Sequence, residues 1–282
     1  MQHAQITTRI FLAIALVMVA ATLTVTSTLA QTIEGPAGTL HVDDGGTGGL
    51  PVVFLHSFAG DTSHWSAQLA HLRKTQHAIA IDLRGHGKSE APADGDYAVE
   101  AVAGDVDAVA NSLGLTRFFL VGHSMGGSTA IAYAAAHPDR VAGLVLASAA
   151  GKVPVDQAEK IIAAMTSDFD KVYGDYWNKL LVGAKPDVLK KLNEGKSAMK
   201  PEAALAIIKA IFMFDPVAAL NKYPGPKLAI ITPQNNTPAD LHMLVKNLPH
   251  KEITNTSHWL HMDKLDEFNV ILDEFLNSLP KT

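Results

Sequence analysis

Phe118-Phe119-Leu120-Val121-Gly122-His123-Ser124-Met125-Gly126-Gly127 is the stretch that decides the fold. Four apolar residues in a row make a short buried strand, and Ser128–Ala136 continues with helical spacing and no breaker. The serine between them has the form G-x-S-x-G, the nucleophile elbow. Its glycines answer to crowding: a sharp strand-to-helix turn brings backbones so close that only hydrogen side chains leave room beside the serine. The turn presents Ser124 at the carboxyl edge of a sheet. The helix that follows aims the Met125 N–H at any negative charge developing there. Ser124 is therefore the candidate nucleophile, and Met125 a candidate oxyanion donor.

On either side of this stretch, short apolar runs recur at Pro51–His56, His77–Asp82, Arg117–Gly122, Val141–Ala147, Lys227–Thr232 and Lys251–Thr254. Thr39–Val42 followed by Asp43-Asp44-Gly45-Gly46 reads as a strand end and a turn. Helical spacing is clear in Ser63–Arg73, Ala98–Leu113, Met125–His137 and Asp266–Leu279. Apolar runs of strand length alternating with helices predict an α/β fold with a mostly parallel, doubly wound sheet covered on both faces. From Gly151 to Tyr223 the pattern turns helical and Lys-rich, with aromatics at Phe169, Tyr173, Tyr176, Trp177, Phe212 and Phe214. That segment is expected to be a helical cap (151–223) inserted into a core made of 31–150 and 224–282.

The start of the chain reads as an address. No charge stands between Arg9 and Glu34, Ile10 to Val25 is almost wholly apolar, and Thr28-Leu29-Ala30 offers small residues around a cleavage point. This is the layout of a signal peptide covering residues 1–30 and cut after Ala30, and the apolar run falls short of the ~20 residues a membrane span needs. The expectation is an exported protein, periplasmic or secreted, with no stable membrane span after processing.

Composition narrows the chemistry. With 23 Lys+Arg against 28 Asp+Glu, the net charge of -5 lacks the basic surplus a nucleic-acid binder uses. Zero cysteines excludes a thiol nucleophile, an iron–sulfur cluster, Cys-ligated zinc and any disulfide. Neither cofactor nor metal is called for: His258 and His261 have no further ligand-spaced partners to make a metal site.

These motifs together make residues 40–280 resemble the α/β-hydrolases. Asp82-Leu83-Arg84-Gly85-His86-Gly87-Lys88-Ser89 is similar to that family's D-x-R-G-x-G-x-S segment, read here as a structural turn with an Arg–Asp pair. His56-Ser57-Phe58-Ala59-Gly60 stands where the family has its His-Gly oxyanion loop, which by resemblance makes the Phe58 N–H the second oxyanion donor. Ser57 replaces the usual Gly, as it does in enol-lactone hydrolases. Thr256-Ser257-His258-Trp259-Leu260-His261-Met262-Asp263 is similar to the family's G-H-W-L-H-x-E/D segment, whose first histidine is the general base. The resemblance thus assigns His258 as base, in the family's order of nucleophile, acid, base. His123 and His261 read as structural.

The acid departs from the pattern. The family's loop after the seventh strand resembles G-x-x-D-x-x-x-P, whereas this chain has Thr232-Pro233-Gln234-Asn235-Asn236-Thr237-Pro238. The acid slot falls on Asn236, or on Asn235 if the loop is counted from its start. Asp240 downstream suits a helix cap, and after the sixth strand the slot is Ser148, with Asp156 the first acid beyond. An amide orients an imidazole but leaves the imidazolium charge uncompensated; in a protease triad that exchange costs on the order of 10⁴ in rate. The resemblance implies a serine hydrolase that cleaves a small, apolar carboxylic ester or lactone. The same Ser–His core also serves cofactor-free haloperoxidases or perhydrolases and C–C hydrolases. Asn235 and Asn236 also suit a homologue that binds a ligand without turnover. Ser124 argues against the epoxide hydrolase and haloalkane dehalogenase chemistries, which use an Asp nucleophile.

Overall fold

The computed structural model describes residues 29–280. Eight strands form one sheet: β1 (Leu29–Gly35), β2 (Gly38–Gly45), β3 (Val52–Leu55), β4 (Ala78–Ile81), β5 (Phe118–His123), β6 (Val141–Ala147), β7 (Lys227–Ile231) and β8 (His250–Glu252). Their spatial order is β1-β2-β4-β3-β5-β6-β7-β8. The β1–β2 and β2–β4 pairs are antiparallel, and every pair from β4 through β8 is parallel.

Alternation along the central strands explains how the sheet is buried on both sides. Val53, Leu55, Ile79, Ile81, Leu120 and Leu144 face one layer, while Val52, Phe54, Ala78, Ala80, Phe119, Val121 and Val145 face the other. The helices on the core are α1 (Ser66–Leu72), α2 (Val99–Ser112) and α3 (Met125–Ala136). A helical insertion follows β6: α4 (Val155–Ser167), α5 (Phe169–Leu180), α6 (Pro186–Ala198), α7 (Pro201–Met213) and α8 (Pro216–Leu220). The chain ends through α9 (Leu241–Leu244), α10 (Leu260–Asp263) and α11 (Leu265–Asn277). Leu69 and Leu72 of α1 and Phe268, Leu272 and Leu276 of α11 cover the second layer; α2, α3 and the insertion cover the first.

The apolar runs thus fold as the parallel strands the sequence predicts. What the sequence reading lacks is β1. It is an edge strand in which Ile33 is buried between exposed Thr32 and Glu34, so it carries no apolar run to read. The expected signal peptide lies mostly in residues 1–28, outside the described residues, and β1 begins at Leu29, just before the expected cleavage point. Among the described residues no helix is long and apolar enough to cross a membrane.

The chain direction of the sheet fixes where a site forms. From β3 one connection runs outward to β4, and the next lands on the opposite side at β5. The crevice outside the carboxyl ends of such strands is where open α/β sheets bind ligands.

Candidate active site

Ser124 sits immediately beyond β5 with φ 52° and ψ −113°, a left-handed conformation that costs a non-glycine residue on the order of 1–3 kcal/mol. Its surroundings impose it. The Ser124 N–H donates to Ala147 O at 2.9 Å, and its carbonyl accepts from the Gly127 and Ser128 N–H groups at 2.8 and 3.1 Å. A Cβ on Gly122 would lie 2.2 Å from Gly126 O, and one on Gly126 would lie 2.4 Å from Leu55 O. The elbow glycines are therefore a packing requirement, as the sequence predicts.

The loop after β3 brings Phe58 beside the elbow. Among the described residues, the N–H groups of Phe58 and Met125 donate to no protein acceptor. Met125 opens α3, whose first N–H groups have no partner inside the helix. The loop is held by His56, which lies directly behind it. Its Nε2 accepts from the Leu83 N–H at 2.9 Å, so the ring proton is on Nδ1, which donates to Ser57 O at 2.7 Å. Arg84 in the next loop is spent on structure: its Nε and Nη2 donate to both carboxylate oxygens of Asp105 at 2.6 Å, with both side chains buried.

His258 follows β8 and is 7% exposed. Ser124 and His258 line one cavity of about 60 Å³ together with Ser57, Phe58, Trp259 and Ala150. Its roof comes from the insertion: Tyr176, Trp177 and Leu180 of α5, and Ile208, Ile211 and Phe212 of α7. Three of the six aromatics singled out from the sequence line this cavity. Of the other three, Tyr173 packs edge-on against the Phe58 ring at 5.8 Å and Phe169 lies on Tyr173 at 5.0 Å. Leu180, Ile208 and Ile211 were legible only through spacing: 176/177/180 and 208/211/212 are each one face of a helix. No Asp, Glu, Lys or Arg lines the cavity.

Burial pushes the His258 imidazole down to about 4, and no carboxylate raises it. Its Nε2 is buried without a protein partner. The neighbouring rings are histidine and tryptophan: His123 at 4.9 Å and Trp259 perpendicular at 5.3 Å. His123 donates its Nε2 proton to the His258 carbonyl at 2.9 Å. His261 lies beyond, 4.7 Å from His123 and stacked on Trp65 at 4.1 Å. Both His123 and His261 are held well below the ordinary imidazole value by burial.

Neither asparagine of the acid slot orients this ring. Asn236 is exposed, and its Oδ1 bonds to His242 Nε2 at 3.3 Å. Asn235 accepts from the Thr232 hydroxyl at 3.0 Å within its own turn. Their neighbour Gln234 donates to Val182 O in the turn after α5 at 3.2 Å, tying this loop to the insertion rather than to His258. Asp240 accepts from the Thr237 N–H and hydroxyl, and Asp156 is exposed beside Lys160. The physical reason is local: a short 3₁₀ turn at Pro233–Asn235 directs these side chains to Thr232, His242 and Val182 instead of to His258.

Residues 51–183 match the model of the alpha/beta hydrolase fold. With its mostly parallel eight-stranded sheet, the chain has the α/β-hydrolase fold. Over 228 residues it is 25% identical to 3-oxoadipate enol-lactonase 2 of Acinetobacter baylyi, covering 77% of this chain and 85% of that one. A 108-residue stretch, 38% of this chain, is 39% identical to the dihydrolipoyllysine-residue acetyltransferase component of the acetoin cleaving system of Pseudomonas putida. That match spans only 29% of the Pseudomonas protein. Among solved structures, Est816, described as an N-acyl homoserine lactone degrading enzyme, superposes with a TM-score of 0.75 at 26% identity. The superposition covers 87% of this chain and 100% of that one.

Proposed function

We propose that this protein is an exported serine hydrolase of small, neutral, apolar carboxylic esters or lactones. Ser124 attacks the carbonyl carbon, and His258 takes the hydroxyl proton. The N–H groups of Phe58 and Met125 hold the oxyanion. Collapse returns the proton to the departing alkoxide and leaves an ester on Ser124. Water, deprotonated by His258, then releases the acid and restores the serine. A lactone follows the same steps with its alcohol still tethered.

The observation that carries this reading is the shared cavity of Ser124 and His258, walled by apolar side chains with no ionised group. An apolar wall disfavours a charged substrate, since a carboxylate there would meet no cation. The enol-lactonase and lactone-degrading relatives support lactone or ester chemistry in general. A 3-oxoadipate-type substrate carries a carboxylate, so the neutral class fits this cavity better. Turnover is slow on ordinary alkyl esters, because nothing offsets the imidazolium that forms at His258. Activated leaving groups are favoured. Export rests on the apolar N-terminal stretch and the Thr28-Leu29-Ala30 exit.

The test is hydrolysis of p-nitrophenyl esters of increasing acyl length by wild type, Ser124→Ala and His258→Ala. Short esters are cleaved by wild type, with at least a hundredfold loss in each variant. Activity that survives Ser124→Ala overturns the nucleophile. The unpaired His258 ring also fits a second reading, a homologue that binds a small apolar molecule without turnover. In that case no ester is cleaved, and binding is unchanged in Ser124→Ala.

A further inference from the structure

The His258 ring has no carboxylate partner, yet the main chain on both sides of it is fastened. Its N–H donates to Leu180 O at the end of α5 at 3.1 Å, and its carbonyl accepts from His123 at 2.9 Å. The two residues before it converge on one buried carboxylate. Asp263, 1% exposed, accepts from the Ser257 N–H at 2.9 Å, the Ser257 hydroxyl at 2.5 Å and the Thr256 hydroxyl at 3.2 Å, all on Oδ2. Its other oxygen accepts from the Lys185 N–H at 2.9 Å, at the entrance to α6. The residue after His258 is tied into the same cluster, since the Trp259 N–H donates to Ser257 Oγ at 3.1 Å.

We propose that Asp263 is the positioning residue for His258, fixing the base through its backbone by clamping the loop 256–259 to the turn 181–185 of the helical insertion. The inference rests on His258 being the base. Three observations carry it. First, Asp263 is a buried carboxylate that pairs with no cation among the described residues, so its four hydrogen bonds are what offset its desolvation. Every one of them comes from the base loop or from the turn that faces it. Second, the two loops touch backbone to backbone: a Cβ on Gly183 would come within 2.9 Å of Thr256 O. Third, with the main chain held, only the two side-chain torsions of His258 remain. The rings of Trp259 and His123 pack against the imidazole at 5.3 and 4.9 Å. Orientation, one of the two tasks a triad carboxylate performs, is thereby met without a contact to the ring. Charge compensation is not.

The positioning role separates from a merely structural one in kinetics. Asp263→Asn keeps the size but places an amide donor against the Lys185 N–H or the Ser257 hydroxyl. Lys185→Pro deletes a single donor at a position whose φ of −66° already suits proline. With p-nitrophenyl acetate, the expected result is a kcat lowered 10- to 100-fold in Asp263→Asn and 3- to 10-fold in Lys185→Pro, with KM within twofold in both. The His258 imidazole proton resonances shift in both variants. A kcat within twofold of wild type in both folded variants overturns the proposal. If Asp263→Asn does not fold, Lys185→Pro decides it alone on the same criterion. If wild type shows no His258-dependent turnover, it is the hydrolase reading that fails. The imidazole resonances then decide the clamp: unchanged in folded Lys185→Pro, they overturn it.

Discussion

The indole N–H of Trp259 donates to the hydroxyl of Ser57 at 3.0 Å, with both residues fully buried. This bond joins the loop of the candidate oxyanion donor Phe58 to the loop of the candidate base His258, across 202 positions of sequence. The family's usual glycine at position 57 has no side chain to accept that proton. The serine is a structural member of the site, which resolves the one departure the sequence shows in the oxyanion loop.

Ser57→Gly is expected to lower stability by about 1–3 kcal/mol, because it leaves a buried indole donor without an acceptor. It is also expected to lower kcat on a short ester several-fold, as the two loops lose their direct tie. Chemical denaturation and steady-state kinetics on the same preparation read both effects. Unchanged stability would mean that the indole finds another acceptor.

Asn235→Asp and Asn236→Asp test the acid slot directly. Both side chains are engaged locally, with Thr232 and with His242 of α9, so a new carboxylate at either place stays away from the imidazole. The expected kcat lies within about twofold of wild type for each, near the limit of ordinary surface substitutions. A gain of tenfold or more in Asn236→Asp would mean that the loop repacks to deliver the acid.

Much of this architecture is legible in the sequence because the parallel strands are buried on both faces and read as plain apolar runs. The elbow is legible because its glycines answer to steric contacts of 2.2 and 2.4 Å that no other residue tolerates. The bonds of Ser57 and Asp263 are not legible. Each links segments that the sequence separates but the fold brings together, and a serine or an aspartate carries no sign of which distant donor it meets. The same holds for the acid slot: counting along a loop locates Asn235 and Asn236, but a one-turn 3₁₀ segment decides which way they face. In the insertion, helical spacing groups Tyr176, Trp177 and Leu180 on one face, yet only packing separates the cavity wall from the helix contacts.

The Arg84–Asp105 pair gives a stability prediction. Two of the guanidinium's bonds go to Asp105 and others to the carbonyls of Asp96 and Ala101, and both side chains are almost wholly out of solvent. Arg84→Met strands a buried carboxylate, which typically costs about 3–5 kcal/mol. Replacing both partners with apolar residues is expected to recover most of that loss, which a double-mutant comparison of unfolding free energies measures. Equal destabilisation in the single and double variants would show that the carbonyl contacts, not the ion pair, matter most.

Acid gives the most specific test, because six buried histidines share one sign. Burial pushes His56, His64 and His258 down to about 4, His86 to about 3, and His123 and His261 well below the ordinary imidazole value. The unfolded chain protonates all six near 6.5, so below that pH it binds more protons than the native state. Each such group removes about 1.4 kcal/mol of stability per pH unit as the pH falls from 6.5 toward its folded value. Asp82 and Asp105, raised by burial, act in the opposite sense, but they are two against six. Stability should therefore be level above pH 7 and fall steeply between pH 6.5 and 4.5, which calorimetry across that range measures. The catalytic profile should separate from this. With His258 neutral until about 4, kcat/KM on a neutral ester stays flat from pH 7.5 down to the onset of unfolding. A half-loss of kcat/KM near pH 6.5 in protein that is still folded would mean that a carboxylate reaches His258 in the working enzyme.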